Sequence, residues 1–251
     1  MNNIQGAFND AKNNNYKKFA ILIDPDKADE IYLEKLLKLT MAGPVDYFFV
    51  GGSLLVKGSL ERTIDYLKKN TPIPVIIFPG QSNQIYDKAD AILLLSLISG
   101  RNPNLLIGDH VVSAPALKQS GLEIMSTGYV LIDGGVSTSV SYMSGTTPIP
   151  ANKSEITVCT AMAGEMLGLK NIYLEAGSGA KNPISLETIQ QVSTQVNVPI
   201  IVGGGITSPE MAYKMAVAGA DIIVVGNAIE KEQNVLVGIA EAIQSAEQPT
   251  S

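Results

Sequence analysis

The chain has 251 residues, of which 45% are apolar and 17% are charged, and its formal net charge is −6. The length matches the ~250 residues of a single (β/α)₈ barrel, and the composition argues for a folded globular protein rather than a disordered one. The negative charge argues against a nucleic-acid partner, and the absence of both an apolar run of ~18 residues and a signal-peptide pattern predicts a cytoplasmic protein without a membrane span.

Eight short apolar runs predict the strands of a parallel sheet that is buried on both faces. In chain order they span 19–23, 46–51, 74–78, 90–95, 128–132, 171–176, 199–204 and 221–227. Amphipathic stretches predict outer helices, and the last of them starts with Pro209 after Ser208, a typical helix start. These stretches span 30–42, 60–70, 154–168 and 209–220. We expect irregular loops at 96–111 and 133–150.

The alternation of strands and helices, without a linker rich in glycine, serine or proline, predicts one α/β domain over 1–251. We expect a single (β/α)₈ barrel with its active site at the C-terminal ends of the strands. Cys159 and His110 are the only residues of their types. One cysteine excludes an internal disulfide and a thiolate cluster, and the sequence around His110 favours a structural or solvated role. Any metal is therefore expected to be a hard cation such as Mg²⁺.

Two glycine-rich loops follow the last two predicted strands. They read GGGITS at 203–208 and GNAIEK at 226–231, and each leads into a predicted helix. Backbone N–H groups of such loops, together with the helix dipole, bind phosphate in barrels of this type. The alternative is a pair of ordinary turns in which glycine supplies a positive φ.

Polar side chains also follow the first two strands. Asp24 and Lys27 belong to the DPDK sequence after the first strand, and Ser53 ends the GGS sequence after the second. A carboxylate and a hydroxyl at neighbouring strand ends are suitable ligands for Mg²⁺, and an ammonium group can contact a diphosphate. An Asp-Pro turn with surface charges is the alternative reading of DPDK.

The sixth strand ends in IYLEAGSGA, at 172–180. Alternation places Tyr173 and Glu175 on the same side of this strand, and Gly177, Ser178 and Gly179 then form a backbone nest for an anion. A carboxylate beside a bound phosphate is disfavoured unless the ligand also has hydroxyl groups to donate to it. The pattern thus predicts a ligand with both phosphate and alcohol groups, or else an acid that is neutralised by a lysine at the barrel mouth.

Seven short motifs between Ile21 and Ile229 are shared with a known family: DPDK, GGS, FPG, SLISGRNP, YLEAGSGA, VGGGI and VGNAI. The set closely resembles the geranylgeranylglyceryl phosphate synthases, the prenyltransferases that make the first ether bond of archaeal-type lipids. Bacterial heptaprenylglyceryl phosphate synthases are related to them. The SGRNP segment resembles the subgroup that occurs in many archaea and in some bacteria.

The resemblance implies a reaction between the C3 hydroxyl of sn-glycerol 1-phosphate and a prenyl diphosphate, here geranylgeranyl diphosphate, with release of diphosphate. It implies Mg²⁺ at Asp24 and Ser53, catalytic roles for Asp24, Lys27 and Glu175, and a homo-oligomer, either a dimer or a hexamer. The residues implied to bind sn-glycerol 1-phosphate are Tyr173, Leu174, Glu175, Ala176, Gly177, Ser178, Gly179, Gly204, Gly205, Gly226 and Asn227.

Three other functions stay open at the level of sequence. One is the heptaprenyl reaction of the bacterial relatives, and another is a sugar-phosphate isomerase or epimerase, which shares the glycine loops but does not require DPDK with GGS. The third is a sensor of a phosphate ligand without catalysis. A sensor is expected to respond thermally to only one of the two ligand classes, glycerol phosphate or prenyl diphosphate with Mg²⁺.

Overall fold

A computed structural model of the chain describes residues 3–246, so positions 1–2 and 247–251 of the predicted domain lie outside the described residues. Eight parallel strands pair in chain order, and β8 pairs with β1 to close a barrel. This closure confirms the predicted (β/α)₈ fold. The strands are β1 Lys18–Ile23, β2 Tyr47–Gly51, β3 Val75–Phe78, β4 Ala91–Leu97, β5 Glu123–Leu131, β6 Asn171–Glu175, β7 Ile200–Gly203 and β8 Ile222–Val225.

The described residues also form ten α-helices and one π-helical turn at Asn104–Gly108. The helices are α1 Ile4–Asn14, α2 Glu30–Thr40, α3 Leu60–Asn70, α4 Asp109–Ser120, α5 Ser139–Ser144, α6 Ser154–Met166, α7 Leu186–Ser193, α8 Pro209–Val217, α9 Asn227–Lys231 and α10 Val235–Ser245. Helix α8 begins at Pro209 as predicted, because the Ser208 side chain accepts the N–H of Met211. In this part of the chain no helix is long and apolar enough to cross a bilayer.

Three sequence predictions need correction. Strand β5 begins at Glu123 rather than at position 128. The prediction missed its first residues because some of them are exposed and they do not form an apolar run. The tract at 96–111 contains the π-helical turn and the start of α4 instead of an irregular loop. Helix α4 exposes Val111 and Val112 on its outer side, so its sequence lacks the one-sided pattern of a surface helix. The tract at 133–150 contains the short helix α5, which Thr138 caps.

Helix α1 covers the N-terminal end of the barrel. The Phe8 side chain is fully buried, and its ring lies 5.1 Å from that of Tyr47, measured between centroids. The Glu123 carboxylate accepts the backbone N–H groups of Ile4 and Gln5, both at 2.8 Å, at the start of the helix. These contacts close the N-terminal end of the barrel. A ligand can therefore bind only at the other end, where the strands have their C-terminal residues.

Strands β3 and β4 pair over a very short length. Only Ile76 with Ala91 and Ile77 with Ile92 are in register, whereas β4 and β5 pair from Ala91 with Glu123 to Leu97 with Tyr129. Positions 93–97 of β4 therefore have no partner residue on β3. The barrel wall opens at this point towards the layer between the strands and the helices.

Candidate active site

Glu175 is the last residue of β6, and its side chain points into the barrel with 5% of the residue exposed. Its Oε1 accepts the backbone N–H of Gly177 at 2.6 Å. Burial raises the pKa of this carboxyl to about 7, although the Gly177 N–H and the nearby Tyr173 hydroxyl oppose the rise. At neutral pH the group is therefore poised between its protonated and ionised forms.

Tyr173 lies below Glu175 on the same side of β6. Its hydroxyl is buried and makes no hydrogen bond of good geometry within the described residues. Burial, with a smaller contribution from the charge of Glu175, raises the pKa of Tyr173 well above its usual range, so the phenol stays protonated. A buried donor without a partner next to a carboxylate is the arrangement expected where a polar ligand completes the hydrogen bonding.

Two glycines at the end of β7 lack side chains where those of Tyr173 and Glu175 lie. A Cβ atom on Gly203 would lie 2.5 Å from the Tyr173 hydroxyl, and one on Gly204 would lie 2.5 Å from Oε1 of Glu175. Gly204 also has a φ of +87°, which a side chain rarely tolerates. The glycines at the end of β7 are therefore required by the side chains of Tyr173 and Glu175 on the neighbouring strand, and Gly204 is also required by the turn itself.

The glycine loops after β6, β7 and β8 come together around a polar cavity of about 360 Å³. The Ser178 hydroxyl donates to Oδ1 of Asn227 at 3.0 Å and so links the β6 loop to the β8 loop. Most of the sequence-predicted ligand residues line this cavity, namely Tyr173, Glu175, Gly177, Ser178, Gly179, Gly204, Gly205, Gly226 and Asn227. Leu174 and Ala176 do not, because strand alternation turns their side chains into the layer between barrel and helices.

Asp24, Lys27 and Ser53 line the opposite side of the same cavity. Oδ2 of Asp24 lies 3.2 Å from Nζ of Lys27, and the same Nζ lies 2.9 Å from Oε2 of Glu230. Partial burial lowers the pKa of Lys27, but the two carboxylates outweigh this effect and leave it raised. Lys27 is therefore a cation that bridges the loop after β1 and helix α9. Within the described chain no lysine pairs with Glu175, which removes the alternative that a mouth lysine neutralises this acid.

The side chains around Asp24 fit a hard cation that arrives with its own oxygen ligands. Asp24 keeps 25% of its side chain exposed, and its Oδ1 would lie 3.8 Å from a Cβ atom on Gly52, in the loop that carries Ser53. Residues 3–246 contain no group of three or more His, Cys, Asp or Glu side chains able to hold a metal. Mg²⁺ commonly binds through one or two carboxylates together with substrate phosphates and water, so the donors present match that mode.

An apolar groove of about 590 Å³ adjoins the polar cavity. It occupies the opening between β3 and β4. Apolar side chains such as Ile85, Ile92, Leu94, Leu105 and Leu117 line it, together with polar ones such as Gln81, Asn83, Asp109 and Ser113. His110 stands in its wall, with Nε2 3.3 Å from the Ser96 hydroxyl.

Four residues line both the groove and the polar cavity, and they mark the place where the two meet: Ser53, Phe78, Tyr129 and Val140. The rings of Phe78, Tyr129 and Tyr173 form a cluster at this junction, with centroids 5.3 to 6.0 Å apart.

A model of the PcrB family matches residues 12–244 of the chain. The chain belongs to the PcrB family. Geranylgeranylglyceryl phosphate synthase of Chitinophaga pinensis is 54% identical over 245 residues, which cover 98% of this chain and 97% of that protein. The family resemblance inferred from the strand-end motifs is thereby confirmed.

Two solved structures are similar to this PcrB-family chain over nearly its whole length. One is (S)-3-O-geranylgeranylglyceryl phosphate synthase from Thermoplasma acidophilum in complex with its substrate sn-glycerol-1-phosphate. It has a TM-score of 0.91 and 30% identity, and the match covers 98% of this chain and all of that one. The other is the wild-type GGGPS from Thermoplasma volcanium, with a TM-score of 0.89 and 35% identity over 99% of this chain and all of that one.

Some residues of the PcrB-family site were not predicted from the sequence. Glu230 was missed because an acid close to a phosphate loop suggests no ligand role until Lys27 is seen beside it. Phe78 and Tyr129 were missed because aromatic residues at strand ends read as core. The FPG segment carried a signal, since it places Phe78 at the C-terminal end of its strand. In GYVLI, Tyr129 stands near the start of the predicted strand, and it comes near the C-terminal end only because β5 begins at Glu123.

Proposed function

We propose that this protein is a prenyltransferase that forms an ether bond between the C3 hydroxyl of sn-glycerol 1-phosphate and a prenyl diphosphate, releasing diphosphate. One observation carries the proposal: a polar cavity with glycine loops and a buried acid meets a mainly apolar groove at Ser53, Phe78, Tyr129 and Val140. The names of the relatives, and the substrate bound in the Thermoplasma acidophilum enzyme, support this reading.

The glycine loops would hold the phosphate of sn-glycerol 1-phosphate. Gly177, Gly179, Gly204 and Gly205 all have positive φ values, between +71° and +97°, which turn the backbone sharply around the cavity. Backbone amides in such turns form concave binding sites for anions. With the phosphate fixed there, the glycerol hydroxyls extend towards Glu175 and the unpartnered Tyr173 hydroxyl.

Glu175 would orient the attacking hydroxyl and accept its proton. The bond from this oxygen to the first carbon of the prenyl chain forms as the bond from that carbon to the diphosphate oxygen breaks, and the proton passes to the carboxylate. A pKa of about 7 makes Glu175 a stronger base than an ordinary carboxylate while leaving a large ionised fraction at neutral pH. The polar cavity and the groove meet at one junction, and this geometry aligns the glycerol hydroxyl with the first carbon of the prenyl chain.

Asp24 and Ser53 would hold Mg²⁺, which when bound stabilises the negative charge of the departing diphosphate. Lys27 lies 3.2 Å from Asp24 and can donate to the same leaving group. The rings of Phe78, Tyr129 and Tyr173 cluster at the junction where the allylic carbon would lie, and an aromatic face turned towards that carbon would stabilise positive charge by up to about 2 kcal/mol at a desolvated site.

The competing functions lack comparable support. An isomerase or epimerase of a small sugar phosphate has no use for a groove of about 590 Å³, and a sensor has no use for a buried carboxyl whose pKa is tuned to about 7. The heptaprenyl reaction differs only in donor length. The homo-oligomer, whether a dimer or a hexamer, and the cytoplasmic location remain predictions.

A product assay tests the proposal. The protein is incubated with geranylgeranyl diphosphate and either sn-glycerol 1-phosphate or its 3-phosphate enantiomer, with Mg²⁺ or with excess chelator. We expect ether product with the 1-phosphate and Mg²⁺ only, because the fixed phosphate and Glu175 leave the other enantiomer misaligned. Equal efficiency with both enantiomers, or full activity in chelator, contradicts the assignment of the respective site.

The variant Asp24→Asn separates the two halves of the site. It is expected to weaken the binding of prenyl diphosphate much more than that of sn-glycerol 1-phosphate, because only the diphosphate is held through the metal. Equal losses for the two substrates in steady-state kinetics would show that Asp24 does not serve the diphosphate end.

A further inference from the structure

We propose that Asp26 is a positioning residue that fixes the loop between β2 and α3, and so holds Ser53 at the junction of the polar cavity and the apolar groove. The inference rests on the proposed function, because it gives Asp26 a task at the diphosphate end of that site. It also gives the two carboxylates of DPDK different tasks. Asp24 lines the polar cavity and accepts an N–H within its own turn, that of Asp26, whereas Asp26 accepts N–H groups of the loop after β2.

The Asp26 carboxylate accepts hydrogen bonds from three consecutive backbone amides. Its Oδ2 accepts the N–H of Val56 at 2.9 Å, and its Oδ1 accepts those of Lys57 and Gly58 at 2.9 and 2.5 Å. These bonds connect positions 30 to 32 residues apart in the chain, so they join two separate loops. They also lower the pKa of Asp26, Gly58 contributing most, and the residue stays ionised at neutral pH.

Apart from Leu55, which is partly buried against the core, the loop that Asp26 holds has few other anchors of its own. Val56 is 69% exposed and Leu54 is 45% exposed, so burial of their side chains contributes little. Backbone packs on backbone instead: a Cβ atom on Gly58 would lie 2.1 Å from the Pro25 carbonyl oxygen, and one on Gly80 would lie 2.1 Å from that of Gly52. Contacts as close as these require the loops after β1, β2 and β3 to keep their relative positions.

Ser53 is the site residue whose position this arrangement fixes. It lines both the polar cavity and the groove and follows Gly52, on which a Cβ atom would lie 3.8 Å from Oδ1 of Asp24. If the loop at 54–58 moves, the Ser53 hydroxyl moves with it, and the ligand set for the diphosphate is lost. Misplacement of a catalytic group by about 1 Å costs on the order of 10²-fold in rate.

The test compares Asp26→Asn with Asp46→Asn. Asp46 is a suitable control because its carboxylate also accepts a backbone N–H, that of Phe19 at 2.8 Å, but it pairs with Lys18 and precedes β2 at the opposite end of the barrel. Asp26→Asn is expected to lower kcat/KM for prenyl diphosphate by about 10²-fold with little change in KM for sn-glycerol 1-phosphate. Asp46→Asn is expected to change neither, even where it lowers Tm by a similar amount.

A second readout does not depend on activity. Lys57 is exposed and follows Val56 in the tethered segment, so trypsin reports on its opening. Cleavage after Lys57 in the folded protein is expected to become about tenfold faster in Asp26→Asn and to be unchanged in Asp46→Asn. If wild type makes no product, the proposed function fails while this readout still tests the tether. An unchanged cleavage rate overturns the tether itself.

A double-mutant cycle with Ser53→Ala shows whether Asp26 acts through Ser53. If it does, Asp26→Asn costs much less in donor kcat/KM when the Ser53 hydroxyl is already absent. Full additivity of the two losses, or equal losses for both substrates in Asp26→Asn alone, overturns the proposal, because a general loss of stability gives those results. Asp26→Asn keeps the size and one acceptor oxygen of the side chain, which favours a folded variant.

Discussion

Glu175 is 5% exposed, and burial raises the pKa of its carboxyl to about 7. Glu175→Gln keeps the size of the side chain and an acceptor for the Gly177 N–H, but it cannot take a proton from an alcohol. We expect turnover to fall by ~10²–10⁴-fold, the range for a lost general base. Single-turnover rates with sn-glycerol 1-phosphate and prenyl diphosphate measure this.

Glu165→Gln serves as the control for that experiment. Glu165 also accepts a backbone N–H, that of Asn197 at 2.7 Å, but on the outer helix layer. Its substitution is expected to leave the rate unchanged. Wild-type turnover in Glu175→Gln would remove this acid from the chemistry.

The raised pKa of Glu175 also predicts how stability changes with pH. The usual glutamate pKa in an unfolded chain is about 4.3, so between about pH 4.3 and pH 7 the folded protein binds more protons at this position than the unfolded one. Its contribution to the free energy of unfolding therefore falls as pH rises through this window.

Denaturant unfolding of wild type and Glu175→Gln at pH 5 and pH 8 checks this sign. Glu175→Gln is expected to gain stability relative to wild type on going from pH 5 to pH 8, by a few kcal/mol at ~1.4 kcal/mol per pKa unit. A pH-independent difference between the two proteins would mean that the carboxyl is not destabilised by burial.

At the scale of elements, α1 stabilises the barrel from the end opposite the site. Phe8→Ala removes a fully buried ring that packs on Tyr47, and we expect it to lower the free energy of unfolding by ~3–5 kcal/mol. The KM values should stay the same, because the site lies at the other end of the strands. Met41→Ala, at a position that is 89% exposed, is the control and should change stability by less than ~0.5 kcal/mol. A selective loss of substrate binding in Phe8→Ala would contradict this separation.

The strands could be predicted from the sequence because each contains a run of apolar residues, and the topology of a barrel then places Asp24, Ser53 and Glu175 at one end. Helix α1 had no such signal, since only Ile4, Phe8 and Ala11 of its eleven residues are buried. Helix α4 is apolar on both sides and was assigned in part to a loop. A local sequence pattern describes one element at a time, whereas the positions of these two helices depend on the parts of the barrel on which they pack.

The contacts between elements could not be predicted from the sequence, for a related reason. The bond from Lys27 to Glu230 joins residues 203 positions apart, and the tether from Asp26 to Gly58 depends on the register of β1 against β2. DPDK contains two acids of the same type, and no sequence pattern tells which one binds the backbone of the neighbouring loop. The difference follows only from the fold of the neighbouring loop.

At the scale of the whole molecule, the groove predicts how the enzyme discriminates between donors. Each methylene that enters it contributes ~0.8 kcal/mol, so binding should strengthen with chain length until the groove ends. We expect efficiency to rise from ten- through fifteen- to twenty-carbon donors and then to level off or fall at thirty-five carbons. Relative kcat/KM values for the four donors measure this. A steep rise continuing to thirty-five carbons would assign the protein to the heptaprenyl reaction and leave the polar site as described.

The short pairing of β3 with β4 has a consequence for how a long chain gets in and out. A closed pore would oblige a flexible tail to thread through end first, and the product to back out along the same path. Where positions 93–97 lack a partner on β3, the wall has a slit along its side instead. Under the proposed function, a prenyl tail can be laid into such a slit sideways, one segment at a time, once its diphosphate is anchored.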